Sequence, residues 1–205
     1  MTDKNTTNNS EISTIPAVQV ELEKSLREIF GEDIAFIEPH AWKEYGLTIQ
    51  VSPSKIKSVM TTLKDDNRTH FDMLIDVTCV DWLDQKDERF EIVYQLLSVE
   101  LSHRLCVKVS LPETAPEIDS VRDLWSTANF LEREVFDMFG VGFKGHGDLR
   151  RILMYDEFVG HPLRQDYHIL NKQPRIPLRV PELRNTSNDL HRAPLVGMPT
   201  KKQRL

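Results

Sequence analysis

Three apolar runs between residues 71 and 111 constrain this chain more than anything else in it. Residues 71–82 are dense in Val, Ile and Thr. Residues 90–99 alternate only in part, as a mostly buried strand does. Residues 105–111 follow a short turn at Ser102 and His103. Links this short join antiparallel neighbours, because a parallel return needs a crossover of a dozen residues or more. The runs therefore predict a mainly antiparallel sheet, with helices covering one face.

The flanking sequence supplies those helices. Val18, Leu22, Leu26, Ile29 and Phe30 fall on one helical face over residues 18–30, and Gly31 stops it. Residues 34–38 and 46–51 read as short strands around a turn. Pro53 opens a second helix to about residue 64, with Ile56, Val59, Met60 and Leu63 inward. Residues 118–125 and 127–139 both read as helical, the second with Leu131, Val135, Met138 and Phe139 on one stripe. The order α-β-β-α-β-β-β-α defines an α+β fold, a mainly antiparallel mixed sheet covered by helices. Four regions follow: a polar, disordered 1–16, an α/β domain at 17–139, a charged segment at 140–166, and a long extended C-terminal arm at 167–205. Residues 1–16 have neither the arginines of a transit peptide nor the apolar stretch of a secretory signal.

The net charge of −6 is unevenly spread. Residues 167–205 carry eight basic residues against Glu182 and Asp189, a charge of +6, which leaves −12 on residues 1–166. Prolines at 174, 177, 181, 194 and 199 exclude an amphipathic helix there. Tyr167 is the arm's only aromatic, so a base-stacking nucleic-acid surface fits poorly. An extended chain along an acidic protein surface fits better. No apolar run approaches the roughly 20 residues of a membrane span. Cys79 and Cys106 are the only cysteines, too few for a disulfide scaffold or for zinc and iron–sulfur sites built on cysteine spacing. Two lone thiols in apolar runs suggest a reducing compartment.

Several candidate sites fall to their simpler readings. Gly140, Gly142 and Gly145 fit G-x-G-x-x-G, but a helix precedes them where a dinucleotide fold needs a strand. They read as a post-helical turn that binds no phosphate. His146, His161 and His168 lack the spacing of a ligand set and read as hydrogen-bonded structural histidines. The unusual stretch lies between Glu132 and Asp166. It packs seven acids and five bases among apolar residues, and arginine outnumbers lysine four to one. Arginine suits partly buried bidentate pairing. Arg150, Arg151 and Arg164 are therefore expected to pair with Glu132, Glu134, Asp137, Asp148 or Asp166.

In this stretch Glu132-Arg133-Glu134 and Asp137-Met138-Phe139-Gly140 lead to Asp148-Leu149-Arg150-Arg151, then to Gly160-His161-Pro162-Leu163-Arg164-Gln165-Asp166. The series resembles the signature of the C-type, thirty-kilodalton subunit family of NADH:quinone oxidoreductase, respiratory complex I. The resemblance extends over residues 18–205, with Gly147 where the family usually has proline, a change expected to loosen that turn. It implies a structural, non-redox subunit of the peripheral arm, on the cytoplasmic side of the bacterial inner membrane. Its expected neighbours are the D-type, quinone-pocket subunit and other peripheral-arm subunits, with no nucleic acid. NADH, flavin, iron–sulfur clusters and quinone would belong to the complex, with none bound by this chain. Glu132, Arg133, Glu134, Asp137, Asp148, Arg150, Arg151, His161, Pro162, Arg164 and Asp166 would then be structural or partner-contact residues. The chain stops without the second domain fused in some relatives, which implies a separate partner chain. Membrane-bound hydrogenase complexes carry related subunits and are the rival within the family. A free-standing nucleotide-dependent oxidoreductase and a basic-tailed nucleic-acid module are the rivals outside it.

Overall fold

A computed structural model describes residues 17–31, 34–39 and 46–176; the expectations for residues 1–16 and for most of the arm lie outside the described residues. Along the chain run α1 (Ala17–Phe30), β1 (Ile34–Pro39), β2 (Leu47–Val51), a 3-10 turn at Pro53–Lys55 and α2 (Ile56–Asp65). The three apolar runs become β3 (Met73–Asp81), β4 (Phe90–Ser98) and β5 (His103–Leu111). After them come β6 (Glu117–Asp119), α3 (Ala128–Phe139) and β7 (Gly142–Lys144).

Five strands pair in the order β1-β2-β5-β4-β3. Only β2 and β5 are parallel in this sheet; the other pairs are antiparallel, so the expected mainly antiparallel α+β fold is what forms. Register sets the faces. Phe90 opposes Leu111, Ile92 opposes Val109, Tyr94 opposes Val107 and Leu96 opposes Leu105. These residues share one core with Leu22 and Leu26 of α1, with Ile56, Val59, Met60 and Leu63 of α2, and with Val135 and Met138 of α3. The opposite face carries Glu91, which meets Lys86 at 2.8 Å and Lys108 at 3.1 Å. Val93, itself buried, and Leu97 share that face, which is why β4 alternates only in part.

Two local expectations change. Residues 118–125 form no helix. Ile118, Val121 and Trp125 are buried at a helix-like spacing, but the backbone is committed elsewhere. Residues 117–119 pair with β7 as a parallel two-stranded sheet, and Ser120 N–H donates to Lys144 O at 2.8 Å. Beyond them Val121 O accepts the Leu124 and Trp125 amides in a turn. The second change follows from the first. Gly140 does end α3 in the left-handed region, φ 77°, with its N–H on Phe136 O at 2.8 Å. Yet Gly142–Lys144 is a strand within the expected plain turn, because its ladder partner lies 25 residues upstream.

Gly147 has φ +83°, which proline cannot adopt, since its ring holds φ near −65°.

Gly140 and Gly145 both have positive φ, but only Gly140 is crowded: a Cβ there would lie 2.5 Å from His161 Nε2 and 2.6 Å from Arg164 Nη2, against open space at Gly145. Gly145→Ala should lose only the left-handed strain of about 1–2 kcal/mol. Gly140→Ala should lose more, because two side chains must move. Urea unfolding of both variants checks this, and equal losses would remove the packing argument.

Candidate functional site

The site grows from a general deficit: the last carbonyls of a helix have no partner within it. In α3 the first is met by the helix's own C-cap and the rest by distant groups. Phe136 O accepts the Gly140 amide. Asp137 O faces His161 Nδ1 at 3.0 Å, so that nitrogen carries the proton. Met138 O accepts the Leu163 amide at 3.1 Å, and Phe139 O accepts Arg164 Nε at 2.5 Å. The capping residues form a tight turn in which the Arg164 amide reaches His161 O at 3.3 Å. Pro162 occupies its second position, where a fixed φ is preferred. Burial lowers the pKa of His161 first, with help from Arg164 and Arg151, which favours the neutral ring.

One turn earlier, Asp137 is wholly buried, and its carboxylate is saturated. Oδ2 accepts the amides of Ile152, Leu153 and Met154 at 3.1, 2.8 and 2.8 Å, and Oδ1 accepts Arg151 Nη1 at 2.6 Å. Burial pushes its pKa up, but the Met154 and Leu153 amides, Arg151 and the Ile152 amide outweigh that, and the net shift is downward. Arg151 also reaches Gly160 O at 3.0 Å, and its guanidinium lies 5.8 Å from the Phe158 ring centroid. Arg133 donates to the carbonyls of Arg150 and Arg151, both at 3.1 Å. Tyr167 stacks on Phe158, and Gln173 bonds both backbone groups of Val159 and the Tyr167 hydroxyl. Tyr155 Oη donates to Pro174 O, so the described chain is tied back as far as Pro174.

A second anchor was not foreseen. Arg89, 4 % exposed, grips Asp81 at 2.8 and 2.9 Å, and also meets Glu113 at 2.5 Å and Asp166 at 3.1 Å. Asp81 and its neighbours raise the Arg89 pKa further above its ordinary value. Asp81 in turn holds Gln165, accepting its amide at Oδ2 and its side chain at the backbone carbonyl. The available signal was an acid and a base at facing ends of two consecutive strand runs, the position of a cross-strand pair.

Among the described residues no arginine pairs with Glu132. It is 0 % exposed, accepting the Ser120 hydroxyl at 2.6 Å and the Val121 amide at 2.8 Å. His146 Nε2 lies 4.0 Å away and faces Asn129 O at 3.0 Å, so Nε2 bears the proton. Burial raises the Glu132 pKa to about 7, against the Ser120 and Val121 hydrogen bonds that lower it. Of the expected pairs, then, Arg151–Asp137 forms in a buried setting and Arg150–Asp148 forms at 3.1 Å in solvent. Asp166 pairs with Arg89, Glu134 is exposed, and Arg164 has no carboxylate within ion-pair distance among the described residues. His146, His161 and His168 each bond backbone groups. Among the described residues no cluster of metal-ligating side chains forms.

The buried carboxylate that anchors this loop is matched by the loop's own donors, while several apolar side chains point outward. Ile152, Leu153, Val159, Leu163, Ile169 and Leu170 are all exposed, the last two at 92 % and 77 %.

The fold is shared with solved structures. The trypsin-resistant fragment (1–134) of Nqo5 is 34 % identical, with a TM-score of 0.54, over 63 % of this chain and 99 % of the fragment. A chain of the membrane-bound sulfane sulfur reductase, an archaeal respiratory membrane complex, is 25 % identical, with a TM-score of 0.60, over 74 % of this chain and 86 % of that one. The chain belongs to the family described as respiratory-chain NADH dehydrogenase, 30 Kd subunit, which it matches over residues 49–173. Relatives include the C-type NADH-quinone oxidoreductase subunit of Citrifermentans bemidjiense, 49 % identical over 59 % of this chain and 73 % of the relative. That of Geobacter metallireducens is 42 % identical over 69 % and 85 %.

Asp137→Ala leaves Arg151 and three amides without their acceptor and should cost about 3–5 kcal/mol, as breaking a buried pair does. Amide hydrogen exchange at Ile152, Leu153 and Met154 should accelerate together, and unchanged protection there would contradict the clamp. Glu132 generates a pH dependence. Its pKa is higher folded than unfolded, so its contribution is complete below about pH 4.5 and falls as pH rises to about 7, by on the order of 3 kcal/mol. Asp137 and Asp81, with lowered pKa values, act in the opposite sense and only toward acid pH. Denaturant titrations between pH 4.5 and 8 should show the fall, and Glu132→Gln should flatten it.

Proposed function

We propose that this chain is a non-redox structural subunit in the peripheral arm of a proton-translocating NADH:quinone oxidoreductase. It would pack beside the D-type, quinone-pocket subunit on the cytoplasmic side of the bacterial inner membrane. The carrying observation is the loop at residues 152–170, whose backbone is clamped by Asp137 and Arg151 and which holds Leu153, Val159, Leu163, Ile169 and Leu170 outward. Exposed apolar surface on a rigid segment marks a protein contact. Family membership and relatives 41–49 % identical support the quinone enzyme as the host, over the 25 % identical sulfane sulfur reductase chain. No helix among the described residues is long and apolar enough to cross a membrane, so attachment would run through partner subunits.

In this reading electrons pass through NADH, flavin, iron–sulfur clusters and quinone held elsewhere in the complex. The loop's residues, from Glu132 to Asp166, shape and hold the contact surface and carry out no chemical step. The basic arm extends the contact. Ordering it costs roughly 1–2 kcal/mol per residue, so its apolar residues, such as Leu183, Leu190 and Val196, must anchor it along with its charge.

Leu163→Asp and Leu170→Asp place charges on the outward face without touching the Asp137 clamp. Each variant should unfold at the same denaturant concentration as the unaltered chain. In cells lacking the natural copy, each should lower the yield of assembled complex on native gels. Full assembly with both variants would refute the docking role.

A further inference from the structure

Arg164 departs from the pattern of its neighbours. Arg89 has three carboxylates, Arg151 has Asp137, Arg150 has Asp148 and Arg133 has two carbonyls. Arg164 spends its Nε on Phe139 O and lays its guanidinium 5.1 Å from the centroid of the Phe90 ring. Its nearest acid in sequence, Asp166, is held by Arg89 at 3.1 Å. The terminal nitrogens thus meet no carboxylate among the described residues, although the side chain is half-buried and lies beside Gly140 and His161. A guanidinium pinned at Nε and by an aromatic face keeps a planar pair of donors in fixed orientation. Leu163 precedes it at 55 % exposure, and Ile169 and Leu170 follow.

We propose that Arg164 receives a carboxylate from a neighbouring protein of the complex, so that the surface seated on residues 163–170 is apolar with one acidic side chain opposite Arg164. The inference rests on the docking role proposed above and names the chemistry of the partner. A lone guanidinium in a segment whose Leu163, Ile169 and Leu170 are exposed suits a protein carboxylate more than a hydrated phosphate, which gathers several cations and sheds apolar neighbours. The pairing adds specificity, since a partner lacking the acid leaves a half-buried cation unmatched once water is excluded.

The test uses the assembled complex. In a complex carrying Arg164→Lys, a zero-length carbodiimide should join position 164 to an aspartate or glutamate of another chain, read by peptide mass spectrometry. A link only to an acid of this same chain, or no link in an assembled complex, overturns the inference. The unaltered complex supplies an independent reading should that variant fail to assemble. Modification of Arg164 by phenylglyoxal should be lost in the complex under conditions that modify it in the free full-length chain, and equal modification overturns the inference. Its failure separates from that of the docking role: if Leu163→Asp and Leu170→Asp block assembly while position 164 finds no foreign acid, only the carboxylate is wrong.

Discussion

The Asp137 carboxylate sits at the end of a helix, out of reach of water, where a bare charge would cost several kcal/mol. Four N–H donors surround it: three consecutive amides and one guanidinium. Charge-assisted hydrogen bonds contribute about 1.5–3 kcal/mol each, enough together to offset that cost. The donors come from residues 151–154, a stretch without helix or strand. Such a stretch costs roughly 1–2 kcal/mol per residue to order and has few buried apolar groups to compensate. The carboxylate therefore does for this loop what a sheet ladder does elsewhere.

The same economy recurs nearby. Helix α3 needs acceptors capped, and the turn at residues 161–164 needs donors placed, so each completes the other. Arg89 and Asp81, at the ends of β4 and β3, fix Gln165 and Asp166 to the sheet. Glu132 joins α3 to the residues just after β6. Asp137 and Asp81 thus tie one irregular segment to α3 and to β3, while Glu132 ties α3 to the turn after β6. Each has a different environment, which is why burial wins at Glu132 and donors win at Asp137 and Asp81.

Held from within by Asp137, Arg151 and the turn at residues 161–164, the loop shows solvent apolar side chains that a soluble chain usually hides. A floppy apolar loop would collapse onto its own body. A loop held by hydrogen bonds at residues 137, 151, 163 and 164 can keep Leu163 and Leu170 outward, ready for a neighbour with little further ordering cost. Membership in the 30 Kd subunit family agrees with such a part in a larger assembly.

The sheet was legible because period and link length are local: β3, β4 and β5 lie within two residues of where the apolar runs placed them, and α1 and α2 follow their stripes. The density of arginine among acids also pointed to the right segment, and the Arg151–Asp137 pair lay within its forecast. Other features depended on contacts that no local pattern encodes. Ile118, Val121 and Trp125 mimic a helical face, but parallel pairing with residues 142–144 and the reach of Glu132 for the Val121 amide keep those residues extended and turned. Asp166 faces Arg89, 77 positions away, because the hairpin and the turn at 164–167 meet in space. Composition and spacing thus determined the five strands of the main sheet, all three helices and the place where charge would be buried. Tertiary structure alone decided which acid took which donor, since a charge pairs with whatever the folded backbone brings within about 3 Å, and sequence distance does not enter.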